Sequence, residues 1–498
     1  MRWFRQLGIL CLIGLPAGLA AQTAAEAPLS VIDWLGEQPK PESAKPVKPS
    51  EAAVAKTALP PKVAVTKLGE GSPRAIGLVP ASVTGMPQNL WQGSRIDDIE
   101  QMLASLPDLH LPAGRALFYT LMLAEGTAPL GVATMGDALA LARVRALMDA
   151  GALDPALSLI EQAGVATSSE HFDLWMQLSL LLGTEDRACK LLEQKPFLTS
   201  DYGIHILCAA RAGKWENAAL TFGSAQALKL LPQAKLNLLD RFLNPDLFED
   251  SAVLPPPRVM DPLSFRLLEA MGEPQPTRNL APAYAVADLR DISGWKSQLE
   301  AAERLTRAGA LPDNRFLGIY TAREPAASGG IWDRVEALQR FDIALASGSA
   351  EAVAKTLRAA WSAMQEAELE VSFATLYGEQ LQRLDLTGSI SELRDRILLL
   401  SPLYETVEIA SDQGGEMSFL AAIGVASAFT SPTPRKNLID AAGNGGLGLA
   451  ILETISLLED GARGDTAALR DALSTLRALG LEDTARRASL QIMLLDRS

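Results

Sequence analysis

The chain has 498 residues, 45 of them basic and 59 acidic, and a net charge of −14 at pH 7. An acidic chain without a basic block is a poor candidate for binding nucleic acid or anionic lipid. Its length suffices for two to four packed units.

The first residues read as a targeting signal. Arg2 and Arg5 precede an apolar run at 7–19, broken by Gly14 and Pro16 and followed by the small residues Gly18, Ala20 and Ala21. That order predicts a secretory signal peptide over 1–21, cleaved after Ala20 or Ala21. The run is well short of the ~20 residues that a membrane span needs, and no later stretch reads as a span. The expected product is exported and, in a Gram-negative source, periplasmic. Losing Arg2 and Arg5 takes its charge from −14 to −16.

Residues 22–86 are rich in Pro, Ala and Lys, a composition that cannot repay its ordering entropy. A disordered, extended arm is expected there. One apolar island interrupts it, Val31-Ile32-Asp33-Trp34-Leu35. Val31, Ile32, Trp34 and Leu35 either dock on a partner or tuck back onto the body.

Helical periodicity begins near residue 90. Apolar residues at three-and-four spacing predict helices over 96–106, 114–123 and 137–149, within a section of helical repeats at 87–245. A Pro-rich connector is expected at 246–282. Helical sections follow at 283–400 and 401–498. Ala and Leu, both strong helix formers, dominate, and alternating strand patterns are scarce.

One pattern recurs: Gly, two residues, an acid, one residue, Ala. It appears as Gly151-Asp154-Ala156, Gly183-Asp186-Ala188 and Gly213-Glu216-Ala218, at intervals of 32 and 30 residues. A fixed period of this size marks stacked repeats. Gly allows a left-handed helix end, the acid suits the first turn of the next helix, and Ala lets the helices approach closely. The arrangement resembles the inter-helix turn of tetratricopeptide repeats. The large residue at +4 and the small residue at +7 after each Ala are kept as Ile160 and Ala163, and as Phe222 and Ala225. The middle unit has Leu192 but Lys195. The resemblance covers about 137–231, with one further turn at Gly480-Asp483-Ala485, and Val144, Met176 and Ile206 stand where the family has a small residue. It implies an all-α fold, an α-solenoid of antiparallel helix pairs, used to bind protein partners.

Cys189 and Cys208, the cysteines left after processing, sit on neighbouring predicted helices. They either form a disulfide in the oxidising compartment or serve as small buried residues.

No catalytic motif is complete. Gly443-Asn444-Gly445-Gly446-Leu447-Gly448 spells a dinucleotide loop, but it follows a helical stretch rather than a strand, so a flexible helix–helix turn is expected. Ser293-Gly294-Trp295-Lys296 lacks the partner motifs of penicillin-binding enzymes, and Ser293 is expected to cap a helix. Glu416-Met417-Ser418 only weakly resembles the lytic-transglycosylase motif. His110, His171 and His205 have no metal-ligand spacing, and no cofactor is expected. The small-residue loop Tyr320 to Arg334, with Gly329 and Gly330, is the segment least explained by helix packing. The reading is a non-catalytic envelope scaffold or adaptor that binds a protein. The alternative is a cell-wall hydrolase or lyase with its site in the C-terminal section.

Overall fold

The computed structural model describes residues 75–129, 138–407 and 419–495, and these are all-α. Among them, extended pairing is limited to two isolated bridges, Ile76 with Gly126 and Val79 with Ala124. The expected signal peptide, the Val31–Leu35 island and the expected arm up to residue 74 lie outside the described residues.

The first long helices are α1 (Ile96–Ser105) and α2 (Pro112–Leu123). Next come α3 (Ala138–Asp149) and α4 (Leu153–Ala163), α5 (Ser169–Leu182) and α6 (Asp186–Gln194), and α7 (Tyr202–Arg211) and α8 (Trp215–Ala227). From α2 onward each of these helices packs on the next, and α1 packs on α3. Local chemistry sets several starts. Ser168 caps α5 by accepting the His171 amide, and Asp201 caps α7 by accepting that of Gly203.

After α9 (Gln233–Leu243), the expected Pro-rich connector contains a helix, α10 (Pro262–Ala270). Pro262 occupies its first turn, where the missing N–H costs nothing. The Asp261 carboxylate caps it through the Ser264 amide at 3.0 Å and pairs with Lys235 at 2.6 Å. Burial pushes this carboxyl up, but its bonds to Lys235 and Ser264 outweigh that and hold its pKa below the ordinary value. Leu263, Phe265, Leu267 and Leu268 are buried, so 262–270 belongs to the body.

The middle section holds α11 (Trp295–Arg307), α12 (Asp313–Tyr320), α13 (Ile331–Ala346), α14 (Ala350–Glu366), α15 (Glu370–Gln382) and α16 (Ser389–Leu400). The last helices are α17 (Phe419–Thr430), α18 (Leu447–Ala462), α19 (Thr466–Ala478) and α20 (Glu482–Leu494). Buried side chains form two cores. One joins residues 76–287 to residues 425–488, and the other gathers residues 285–400 with Leu495.

The two ends of the described chain therefore share a core. In a linear repeat array each unit touches only its neighbours, whereas here α18 packs on α1 and α2, and α20 packs on α2 and α16. The start of α2 shows what holds this closure. Leu111 at its N-cap supplies no side-chain bond. The Glu459 carboxylate on α18 instead accepts the amides of His110 at 3.0 Å and Leu111 at 2.9 Å. Gln491 on α20 accepts that of Ala113 at 2.8 Å. Orphan donors at a helix start are thus satisfied from the other end of the chain, and the Glu459 charge lies at the positive end of the α2 dipole.

The glycine-rich segment 443–448 forms part of the same junction and is not the flexible turn expected. The Gly93 amide donates to the Gly445 carbonyl at 2.9 Å, and that of Gly448 to the Leu90 carbonyl at 2.8 Å. A Cβ on Gly448 would come within 2.5 Å of the Trp91 ring. The absence of a side chain lets a fully buried tryptophan lie flat on the backbone.

Residues 75–86, expected to belong to the arm, are packed instead. Ile76 and Met86 are buried, so residues 75–86 belong to the packed body. Arg143 on α3, itself fully buried, fastens this stretch. Its guanidinium donates to the carbonyls of Met122 at 2.7 Å, Ala124 at 2.7 Å and Ile76 at 2.9 Å. Burial lowers its pKa to about 10, so the charge persists at neutral pH, facing carbonyls at the end of α2.

The segment Lys436–Ala462 is long and apolar enough to cross a membrane by length and composition, unlike the expectation that no such stretch follows the signal. Ile451, Leu452, Ile455 and Leu458 within it are buried in the first core, which accounts for its hydrophobicity.

Candidate functional site

The repeated turns share one local geometry. Gly151, Gly183, Gly213 and Gly480 have φ between +74° and +86°, a region that L side chains avoid. Asp154, Asp186, Glu216 and Asp483 lie in the first turn of the following helix. Ala156, Ala188, Ala218 and Ala485 are completely buried. At the middle turn, however, the buried acid is Glu185. It pairs with Arg211 at 3.0 Å and Arg266 at 2.9 Å, tying the α5–α6 turn to α7 and α10.

Cys189 on α6 and Cys208 on α7 are joined by a disulfide, with Cα atoms 5.0 Å apart. Closing a loop of about twenty residues contributes on the order of 3 kcal/mol in the chain-entropy account. Replacing both cysteines by alanine is expected to lower the stability of 186–211 by about that much. Faster amide exchange in α6 and α7 reads the effect, and unchanged exchange would count against it.

Beside the disulfide, α6, α7 and α8 border a groove of about 300 Å³. Its charges are largely spoken for. Arg211 donates to Asp186 at 2.7 Å, and Lys214 pairs with Glu193. The Nε2 of His205 donates to the Thr199 carbonyl at 3.1 Å, which orients the ring. Lys190, Asn217 and Thr221 complete the polar wall. The arrangement offers hydrogen bonds and a cation.

The segments around this groove carry apolar side chains in water. Phe197 is 78% exposed, Leu220 73%, Leu228 68% and Trp215 52%. Within α8 only Ala218 and Ala225 are buried. Trp215 and Leu220 lie on α8, Leu228 caps its end and Phe197 lies in the α6–α7 connection; exposed large hydrophobics of this kind are a feature of interaction surfaces. Sequence reasoning passed over them because Leu220 reads as one more helical apolar residue. The signal was available: α8 has apolar residues away from its Ala218–Ala225 stripe.

The other flagged residues have structural explanations. His171 is buried beside its cap Ser168, with Oγ and Nδ1 2.8 Å apart. His110 approaches Glu459 at 3.8 Å. Ser293 does not cap α11; Gly294 holds that position, and Gln298 instead donates to the Ser293 carbonyl at 3.2 Å. The 320–334 loop is anchored at both ends. The Arg334 guanidinium makes two 2.9 Å bonds to the buried Glu303 carboxylate, to which the Tyr320 hydroxyl also donates. Gln339 holds the Tyr320 and Arg323 carbonyls, so the loop is a braced connection. In the C-terminal section, Tyr404 donates to Asp483 at 3.0 Å and Phe429 lies under the Arg477 guanidinium. Glu416, Met417 and Ser418 lie outside the described residues.

Compared with protein-family models, curated proteins and solved structures, the chain gives no match.

Proposed function

We propose that the chain is an exported, non-catalytic scaffold of the cell envelope, built from tetratricopeptide-like antiparallel helix pairs, that holds a protein partner on the α6–α8 surface. The observation that carries this reading is the exposure of Phe197, Trp215, Leu220 and Leu228 around the groove. An apolar anchor group ringed by polar side chains with satisfied charges is the usual anatomy of a protein-binding patch. Export rests on the sequence of residues 1–21. The cysteine pair fits that compartment.

The test compares the wild-type chain with a Phe197→Asp/Leu220→Asp double variant as bait in an envelope extract. Both side chains point into water, so the variant is expected to fold normally. A partner retained by the wild type should be lost or weakened at least about tenfold, the effect of burying one unpaired charge. Equal retention would remove α8 from the interface. A parallel bait lacking residues 22–74 separates any contribution of the arm.

A further inference from the structure

A second cleft, of about 240 Å³, lies far from the α8 surface in sequence and joins three distant stretches: the start of α2, the α11–α12 turn and the α14–α15 turn. Its walls are tightly fixed. The Tyr119 hydroxyl donates to the Ala308 carbonyl at 2.9 Å. Gly309, with φ +70°, lies so close to the Tyr119 ring that a Cβ would meet it at 2.9 Å. Across the cleft Glu368 adopts φ +55°, a conformation that costs a non-glycine residue about 1 kcal/mol and persists only where surroundings impose it.

Two of the charged residues in the lining, Arg307 and Asp313, do not pair with each other. Arg307 makes no hydrogen bond or ion pair with any described residue, and its neighbour Arg304 is committed to the carbonyls of Thr277 and Leu280. Asp313 receives a bond from Ser372 but has no cation beside it, and burial raises its pKa above the ordinary carboxylate value. Thr306, only 5% exposed, has a hydroxyl without a partner. A half-buried carboxylate and an unpaired guanidinium are each unfavourable, and both residues line this one cleft.

We infer that the cleft binds a small zwitterion, a free amino acid or dipeptide with both ends unblocked. Arg307 takes its carboxylate and Asp313 its ammonium. A simple anion or cation would satisfy only one of Arg307 and Asp313. The volume falls below the ~300 Å³ at which drug-sized pockets begin, which limits the ligand to this size. Leu311, Pro312 and Val371 provide apolar wall for a small side chain.

Calorimetric titration of the full chain with alanine, Ala-Ala and Leu-Ala tests this, alongside N-acetyl-Ala-Ala and Ala-Ala amide. At least one unblocked zwitterion should bind saturably, and blocking either end should weaken binding by about tenfold or more, the loss of one charge pair. Asp313→Asn, which retains a hydrogen-bonding group for Ser372, and Arg307→Met should do the same. The blocked ligands are read on the unaltered protein, so the test survives a variant that fails to fold. No saturable heat from any unblocked compound up to ~10 mM would overturn the inference, as would equal binding of the blocked forms. Neither result depends on the α8 surface.

Discussion

Glu459→Ala is expected to destabilise the junction between the chain's two ends by about 3 kcal/mol, the cost of losing two bonds to a charged acceptor and leaving their donors orphaned. The His110 and Leu111 amides would lose the carboxylate that now accepts both. Leu111 is buried, so water cannot readily replace it. Glu459→Gln should fall between the two, because its amide group offers one acceptor oxygen where the carboxylate offers two. Hydrogen exchange at the start of α2 measures the effect: amides near 111–115 should lose protection by roughly a hundredfold. The effect should reach α18, since both helices lie in the same core. Unchanged protection in both would mean that apolar packing alone joins the ends.

Arg143→Met is expected to release the stretch 75–79 from the body. Methionine fills much of the same volume and removes a buried charge, which is favourable. It cannot donate, so the carbonyls of Met122, Ala124 and Ile76 would lose a shared partner. With a net loss of about 1 kcal/mol per orphaned carbonyl, the expected cost is roughly 3 kcal/mol. Arg143→Lys should recover only part, because an ammonium group is a compact donor without the planar fork that serves several acceptors. The amide of Ile76, now bonded to Gly126 at 3.0 Å, and that of Val79, bonded to Leu123 at 3.0 Å, report the change. Both should exchange faster and the chain should become cleavable near residue 79. Persistent protection in Arg143→Met would show that the backbone bridges suffice.

These two residues also mark what the sequence could and could not convey. The Gly-acid-Ala turns were legible because their cause is local: a left-handed glycine, a first-turn acid and a small contact residue all lie within six positions. The all-α class was legible for the same reason, through apolar spacing along each helix. The junction of the ends was not, because Glu459 acts on backbone amides some 350 residues away, and no local pattern records such a pairing. Glycines 443–448 carried a visible signal that pointed the wrong way. Their spelling suggests a phosphate loop or a loose turn, whereas the requirement is close approach to Trp91, a partner distant in sequence. The proline-rich stretch hid α10, since prolines at a helix start read locally as a break. The cleft at Arg307 and Asp313 was equally invisible, as charges on helix ends ordinarily face solvent. Only the meeting of a helix start and two turns leaves them unpaired.

The central claim is that the α6–α8 surface holds a protein partner, and position 220 tests it most directly. A photo-crosslinking residue at Leu220, 73% exposed, is compared in intact cells with one at Ile343, 71% exposed on α13. The account predicts a discrete crosslinked species from position 220 that is absent from position 343 and disappears when Phe197→Asp is added. Crosslinks that are equal at the two positions, or that persist with Phe197→Asp, would contradict it.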